Sequence, residues 1–244
     1  MTKPPKLFTL LGEPVRWQIV QVLAEGDLMI QEIARRLDQP LNLLSYHLRS
    51  LRAAGLIAER RSSLDGRATY CSLNVSRLTE LTAAAGQALL PVAILRDGSR
   101  AKALRVLFLC THNAARSQMA EGLLRDAVQG RWLVASAGSH PSGVHPLAID
   151  TLARRGIDIR GQSSKDPSAL EHREYDIVIS LCDRVRAEHI TFPNRPRRIH
   201  WSLPDPLAAA PRAQGQAFRQ TADRLAQRIE WFLARERALP SPTH

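Results

Sequence analysis

The stretch LRVLFLC (104–110), THNAARS (111–117), QMAEGLLRDAV (118–128) constrains this chain more than any other. Its first part is apolar and β-prone without two-residue alternation, the pattern of a parallel strand buried on both faces. Its last part is an amphipathic helix. A strand, a short loop and a helix start, in that order, form an anion site, because the loop and first-turn amides converge on one point. Cys110 and Arg116 stand in the loop as C-x5-R, with Ser117 directly behind. Amides around the sulfur stabilise the thiolate, the form that attacks. An arginine fork binds two oxygens of a tetrahedral oxyanion and holds it for in-line attack. A serine hydroxyl in the next position can hydrogen-bond the thiolate. Such chemistry also needs an acid for the leaving oxygen, and WSLPDPL (201–207) offers Asp205 in a loop stiffened by two prolines.

The 244 residues suffice for two modest domains. No apolar run approaches the roughly 18–20 residues of a membrane span, and MTKPPKLF carries no secretory h-region. The cytoplasm is the expected location. Three distant cysteines, Cys71, Cys110 and Cys182, do not form a secreted disulfide framework, and the CxxC spacing of structural zinc is absent. They read as core residues, ligands, or redox and nucleophilic thiols. Net charge is +11, with 13 Lys+Arg against 9 Asp+Glu in residues 1–100 and 21 against 14 beyond. The excess is spread over both halves, and it attracts nucleic acid or anionic substrates through field alone.

The first half has a different pattern. Helical spacing runs from Leu7 to Leu23, with Leu10, Leu11, Val15, Ile19 and Val22 on one face. LMIQEIARRL, the turn DQP and LNLLSYHLRSLRAAG follow, two helices joined by a tight polar turn. Gly55 suits the left-handed position that ends the second. LIAERRSSLDGRATYCSL then gives two β-rich runs around an Asp-Gly turn, a basic hairpin. LPVAILRDGSRAKA (90–103) loses the helical period and reads as a linker. The expected layout is a DNA-binding domain at 1–90, a linker at 91–103 and a catalytic domain at 104–240.

Over residues 7–90 this order resembles the ArsR-type winged-helix repressors, on LGEPVRWQIVQVL, IQEIARRL, SYHLRSLRAAGLI and DGRATYCSL. The resemblance implies a mostly helical α+β winged helix-turn-helix whose second helix enters the major groove. Asn42, Ser45, Tyr46, Arg49 and Ser50 would face double-stranded DNA, Leu44, Leu48 and Leu51 the core. Arg60, Arg61 and Arg67 in the wing would meet phosphates or the minor groove. It also implies a homodimer built by the first helix (7–23) and the last (75–90). Metal-sensing members carry a cysteine pair in the helix before the recognition helix. LMIQEIARRL has none, and Cys71 alone in the second wing strand reads as packing, so no metal site is expected.

The second half resembles the low-molecular-weight tyrosine phosphatase fold, and within it the arsenate reductase branch. The likeness lies in VLFLCTHNAARSQMAEG, ASAGSHPSGVHPLAIDTLARRGIDIRGQSSK, YDIVISLCDRVRAE and IHWSLPDP. RSQMAEG in place of the phosphatases' RSP, SAGSHPSG, and the HW before PDP tilt it toward the reductases. The implied fold is α/β, a four-stranded parallel sheet with a P-loop and helices on both faces. Its strands lie near 104–110, 132–136, 176–181 and 197–200, and FRQTADRLAQRIEWFL closes it. Carried over, Cys110 attacks arsenate or a phosphate-like oxyanion. Arg116 and the amides of Thr111, His112, Asn113, Ala114 and Ala115 cradle it. Asn113 also shapes the loop, Asp205 is the acid, and Ser117 supports the thiolate. Cys182 stands where the reductases keep the thiol that resolves the adduct; the other reading is a buried strand-end thiol. No bound cofactor is implied, only an external thiol reductant: a low-molecular-weight thiol, or a redox partner of glutaredoxin or thioredoxin type.

Two departures stand out. Thioredoxin-coupled reductases carry a third cysteine seven residues beyond the second, where this chain has His189. His112 takes a position often held by glycine and reads as a solvent-exposed rim residue. Lys165, in GQSSKD, either sets its ammonium near the loop, where some relatives hold potassium, or lies elsewhere. Three functions follow: a repressor fused to an arsenate reductase, a non-catalytic oxyanion or redox sensor controlling DNA binding, and a tyrosine phosphatase with a DNA-binding domain.

Overall fold

A computed structural model describes residues 4–62, 64, 66, 68–170, 172–188 and 190–238, apart from 90–102. Arg67, His189 and all of the expected linker except residue 103 lie outside the described residues. The chain forms two compact units, residues 1–98 and 99–244.

In the first unit α1 (Lys6–Leu11) and α2 (Pro14–Leu23) replace the single helix that the spacing from Leu7 to Leu23 predicts. Pro14 has no N–H to give and biases the residue before it away from helix. Glu13 accordingly turns extended (φ −89°, ψ 121°), and its carboxylate accepts the Arg16 N–H at 3.1 Å, capping α2. The buried set shifts with this break, to Leu7, Ile19, Val20 and Leu23. β1 (Leu28–Met29) is a second departure, a two-residue strand taken from the start of the expected helix. It exists because β3 offers a free edge: Leu28 pairs with Cys71 and Met29 with Tyr70.

α3 (Ile30–Leu37) begins where Glu32 accepts the Met29 N–H at 2.8 Å, and it ends at Asp38 in the left-handed conformation (φ 49°). α4 (Leu41–Ala53) follows, closed by Gly55 at φ +74° as the sequence predicts. β2 (Ile57–Arg61) and β3 (Thr69–Leu73) pair antiparallel, Glu59 opposite Cys71, as the expected hairpin, giving the sheet order β1-β3-β2. α5 (Val75–Leu89) completes the unit and meets α1. Ile33, Leu44, Leu48, Leu51 and Leu56 are wholly buried. Leu48→Ala opens a cavity between α4 and its neighbours. It should cost about 2–5 kcal/mol of unfolding free energy in urea denaturation followed by far-UV circular dichroism.

The second unit is a four-stranded, all-parallel sheet in the order β5-β4-β6-β7. The strands β4 (Arg105–Cys110), β5 (Leu133–Gly138), β6 (Ile177–Ser180) and β7 (Arg197–His200) fall where the sequence predicts them. Val106 through Leu109 are all buried, so both faces of β4 are covered. The helices are α6 (Arg116–Ala127), α7 (Pro146–Ala153), α8 (Asp183–Ala187) and the closing α9 (Gln214–Ala238). The chain leaves β4 toward β5 on one side and returns to β6 on the other. That reversal is a topological switch point, and the crevice beyond the strand ends there is where open α/β sheets bind ligands. Cys110 ends β4 and Cys182 follows β6, so both thiols stand at this crevice. No helix among the described residues is long and apolar enough to cross a membrane.

Candidate active site

The loop from Thr111 to Ala115 is held by its carbonyls, each turned away from the loop centre. Thr111 O accepts from His140 N (2.8 Å), His112 O from Ser142 N (3.1 Å), and Ala114 O from His145 N (2.9 Å). Asn113 O accepts from Gln118 Nε2 (3.1 Å) and Ala115 O from Met119 N (2.9 Å). In a trans peptide the N–H of the next residue points opposite to the carbonyl. Five engaged carbonyls therefore aim the amides of residues 112–116 the other way, into the loop. The loop also needs Gly138 at the end of β5. A Cβ there would lie 2.6 Å from both Asn113 N and Cys110 O, and 2.7 Å from Thr111 O.

Asn113 sits at the centre in the left-handed conformation (φ 43°), fully buried. Its amide orientation is fixed by the backbone N–H of Lys165, which can only donate and reaches Asn113 Oδ1 at 2.8 Å. Gln118 Nε2 reaches the same oxygen at 3.0 Å. Asn113 Nδ2 consequently faces two hydroxyls, Ser117 Oγ and Ser136 Oγ, each at 2.8 Å. Ser136 donates to Glu121 Oε2 (2.6 Å), and Glu121 pairs with Arg125. Ser117, already an acceptor from Asn113, has its own proton left for Cys110 Sγ, 2.9 Å away. The nucleophile candidate thus ends a directed chain of hydrogen bonds.

Arg116 is 6% exposed. It donates through Nη1 to Leu203 O (3.2 Å) and through Nη2 to Asp205 Oδ2 (2.8 Å). Asp205 Oδ1 accepts the Leu207 N–H at 3.1 Å, which fixes the carboxylate beside the fork. The expected fork and the expected acid therefore meet. Cys182 is buried, and its Sγ lies 3.3 Å from Thr111 Oγ1, one residue along from Cys110. His112 is exposed, with Nδ1 3.2 Å from His140 O, as a rim residue should be. Lys165 Nζ donates to the Ser163 carbonyl at 2.9 Å.

Sequence reasoning missed Glu121, Ser136, Gln118 and Gly138. The small-residue run ASAG is the one signal that a backbone comes close there, while Gln118 and Glu121 lie inside RSQMAEG, which marks the reductase branch without showing what either side chain does. Cys71 is apart from this site: buried in β3, its thiol is pushed up to about 12 by burial and then by Glu59. Among the described residues no cluster of three or more His, Cys, Asp or Glu is placed to hold a metal ion.

In the first unit α4 exposes Asn42, Ser45, Tyr46 and Arg49, with Ser50 half-buried, while Leu44, Leu48 and Leu51 are buried. Arg61 is exposed in the wing. Arg60 is half-buried over the Tyr70 ring, 5.9 Å from its centre, and donates to the Arg61 carbonyl.

The pattern of the family described as "Low molecular weight phosphotyrosine protein phosphatase" matches residues 105–239. The chain belongs to this family. A second pattern, described as "Helix-turn-helix domain", matches residues 11–60, so the two are fused in one chain. Within the phosphatase family, the chain is similar to the arsenate reductase of Halalkalibacterium halodurans, 34% identical over 129 residues, 52% of this chain and 93% of that one. It is also similar to the arsenate reductase of Bacillus licheniformis, 35% identical over 131 residues, again 52% and 93%. A solved structure described as "An arsenate reductase in the phosphate binding state" is 34% identical. It covers 54% of this chain and 98% of its own, with a TM-score of 0.45.

Proposed function

We propose that this chain is an arsenic-responsive transcriptional regulator fused to a thiol-dependent arsenate reductase, with the DNA-binding domain at 1–90, a linker at 91–103 and the catalytic domain at 104–240. The observation that carries the reading is the second thiol at the phosphate-type loop, Cys182 Sγ 3.3 Å from the hydroxyl of Thr111, beside Cys110. A phosphatase needs one thiol there; reduction of an oxyanion needs two.

The amides of residues 112–116, with Thr111 at the start of the loop, and the Arg116 fork hold arsenate. The Cys110 thiolate, with Ser117 beside it, attacks arsenic, and water leaves with a proton from Asp205. The Cys182 thiolate then attacks the Cys110 sulfur. The S–S bond forms, the S–As electron pair stays on arsenic, and As(V) becomes As(III). In sum, one arsenate and two thiols give one arsenite, one disulfide and one water. A low-molecular-weight thiol, glutaredoxin or thioredoxin returns the disulfide to thiols. The N-terminal domain binds double-stranded DNA as a homodimer through Asn42, Ser45, Tyr46, Arg49 and Ser50, with Arg60, Arg61 and Arg67 on the backbone. The chain works in the cytoplasm.

The test is arsenite release from arsenate with each of the three thiol systems, beside hydrolysis of para-nitrophenyl phosphate. Cys182→Ser is expected to abolish arsenite release while leaving ester hydrolysis unchanged. Arsenite release with none of the thiol systems, with DNA binding intact, would leave a sensor. Ester hydrolysis alone, indifferent to Cys182, would leave a phosphatase.

A further inference from the structure

α4 turns apolar surface to solvent at its N-terminal end. Leu41 is 51% exposed, Leu43 39% and Tyr46 61%, whereas Leu44, Leu48 and Leu51 fill the core side. Leu41 and Leu43 lie in the first turn, off the buried stripe. A single exposed leucine needs no explanation, but three large apolar side chains within six residues form a patch. Leu43 and Tyr46 are three apart and so are neighbours on the helix surface. The polar groups of the same face are partly spent within the helix. Asn42 Oδ1 accepts the Leu43 N–H at 2.8 Å. Ser45 donates its hydroxyl proton to the Leu41 carbonyl at 2.6 Å, and Ser50 donates to the Tyr46 carbonyl at 3.3 Å.

The charge around the patch says what covers it. α4 contains no Asp or Glu, Arg49 is exposed on the outward face, and Arg61 is exposed in the wing. An apolar centre inside a cationic surround fits a polyanion that carries apolar groups of its own. In the major groove the base edges present donors and acceptors, which leucine cannot satisfy, and one apolar group, the methyl of thymine. The N-terminal residues of a recognition helix are those that reach base edges. We propose, on the reading of α4 as the recognition helix, that Leu41 and Leu43 are specificity-determining residues which, with the Tyr46 ring, pack on thymine methyl groups of the operator. The same side chains disfavour a G·C pair at those positions, because they would bury its donors and acceptors without partners.

The experiment uses the full-length protein and a duplex from its own promoter region, made once with thymine and once with uracil, which lacks only the methyl group. Mobility shift in excess unrelated DNA gives the Kd for each. The uracil duplex is expected to bind about four-fold more weakly for each methyl covered, hence about 16-fold for one methyl in each half-site of a homodimer. Leu41→Ala and Leu43→Ala, both at exposed positions, should bind the thymine duplex more weakly and bring the uracil-to-thymine Kd ratio toward one. Arg61→Ala, which removes a charge from the wing, should weaken both duplexes alike and keep the ratio. A ratio near one in the parent protein, or one unchanged in both leucine variants, would overturn the proposal. So would leucine variants that change the oligomeric state in gel filtration and keep the ratio, since a second copy would then cover the patch. Failure to bind either duplex would overturn the DNA reading itself, and this inference with it, which sets that outcome apart from a lost preference for the methyl.

Discussion

Cys110→Ser is expected to remove arsenite formation altogether and to lower phosphate-ester hydrolysis by roughly four orders of magnitude or more. The reason is electronic as much as nucleophilic. In the proposed reaction two electrons reach arsenic, one from each of two sulfurs that end as a disulfide, and a serine oxygen cannot supply its share. The surrounding loop tolerates the change, because its shape comes from carbonyls bonded outward and from Asn113, not from the sulfur. Binding of the first unit to DNA, measured by mobility shift with fragments from the protein's own promoter region, should be unaltered. Equal loss of both properties would show that the halves are not separable, and full arsenite release in the variant would remove Cys110 from the chemistry.

Gly138→Ala carries the second large effect, and it acts with no change in any group that touches substrate. The added carbon would meet three backbone atoms at 2.6–2.7 Å. Backbone cannot rotate out of the way as a flexible side chain can, so Cys110, Thr111 and Asn113 must move. A displacement of about 1 Å in a site of this kind costs about 100-fold in rate, and overpacking adds about 1–3 kcal/mol of destabilisation. Ester hydrolysis and thermal unfolding of the variant measure the two costs. Gly161→Ala is the control: a carbon there meets nothing within 4 Å and the backbone is unstrained, so both quantities should stay at their original values. An unimpaired Gly138→Ala would mean that the loop does not depend on this close approach.

What could be read from the sequence was what is local. A strand, a five-residue loop and a helix are contiguous, so C-x5-R, the Pro-flanked Asp205 and the glycine ending α4 carry their meaning in their own neighbours. The break before Pro14 was also local, and its signal lost to the strong apolar spacing on either side. β1 was out of reach, since two residues become a strand only because β3 lies beside them. So was the underside of the loop. Ser136 comes from another strand, Glu121 from one turn further along α6, and the Lys165 N–H from a segment 52 residues beyond Asn113. None has a spacing that announces the others. Gln118 is the instructive case: a residue that marked a family branch proves to be a brace, joining Asn113 to the Ser163 carbonyl.

That single backbone N–H of Lys165 has a larger effect than its place suggests. By settling which end of the Asn113 amide faces the serines, it settles the sense of every bond up to the sulfur. Dipoles that already point the right way do not have to turn when charge gathers on Cys110. Donors set in advance by folding need no reorganisation at the moment charge develops, which is the advantage such an arrangement holds over water.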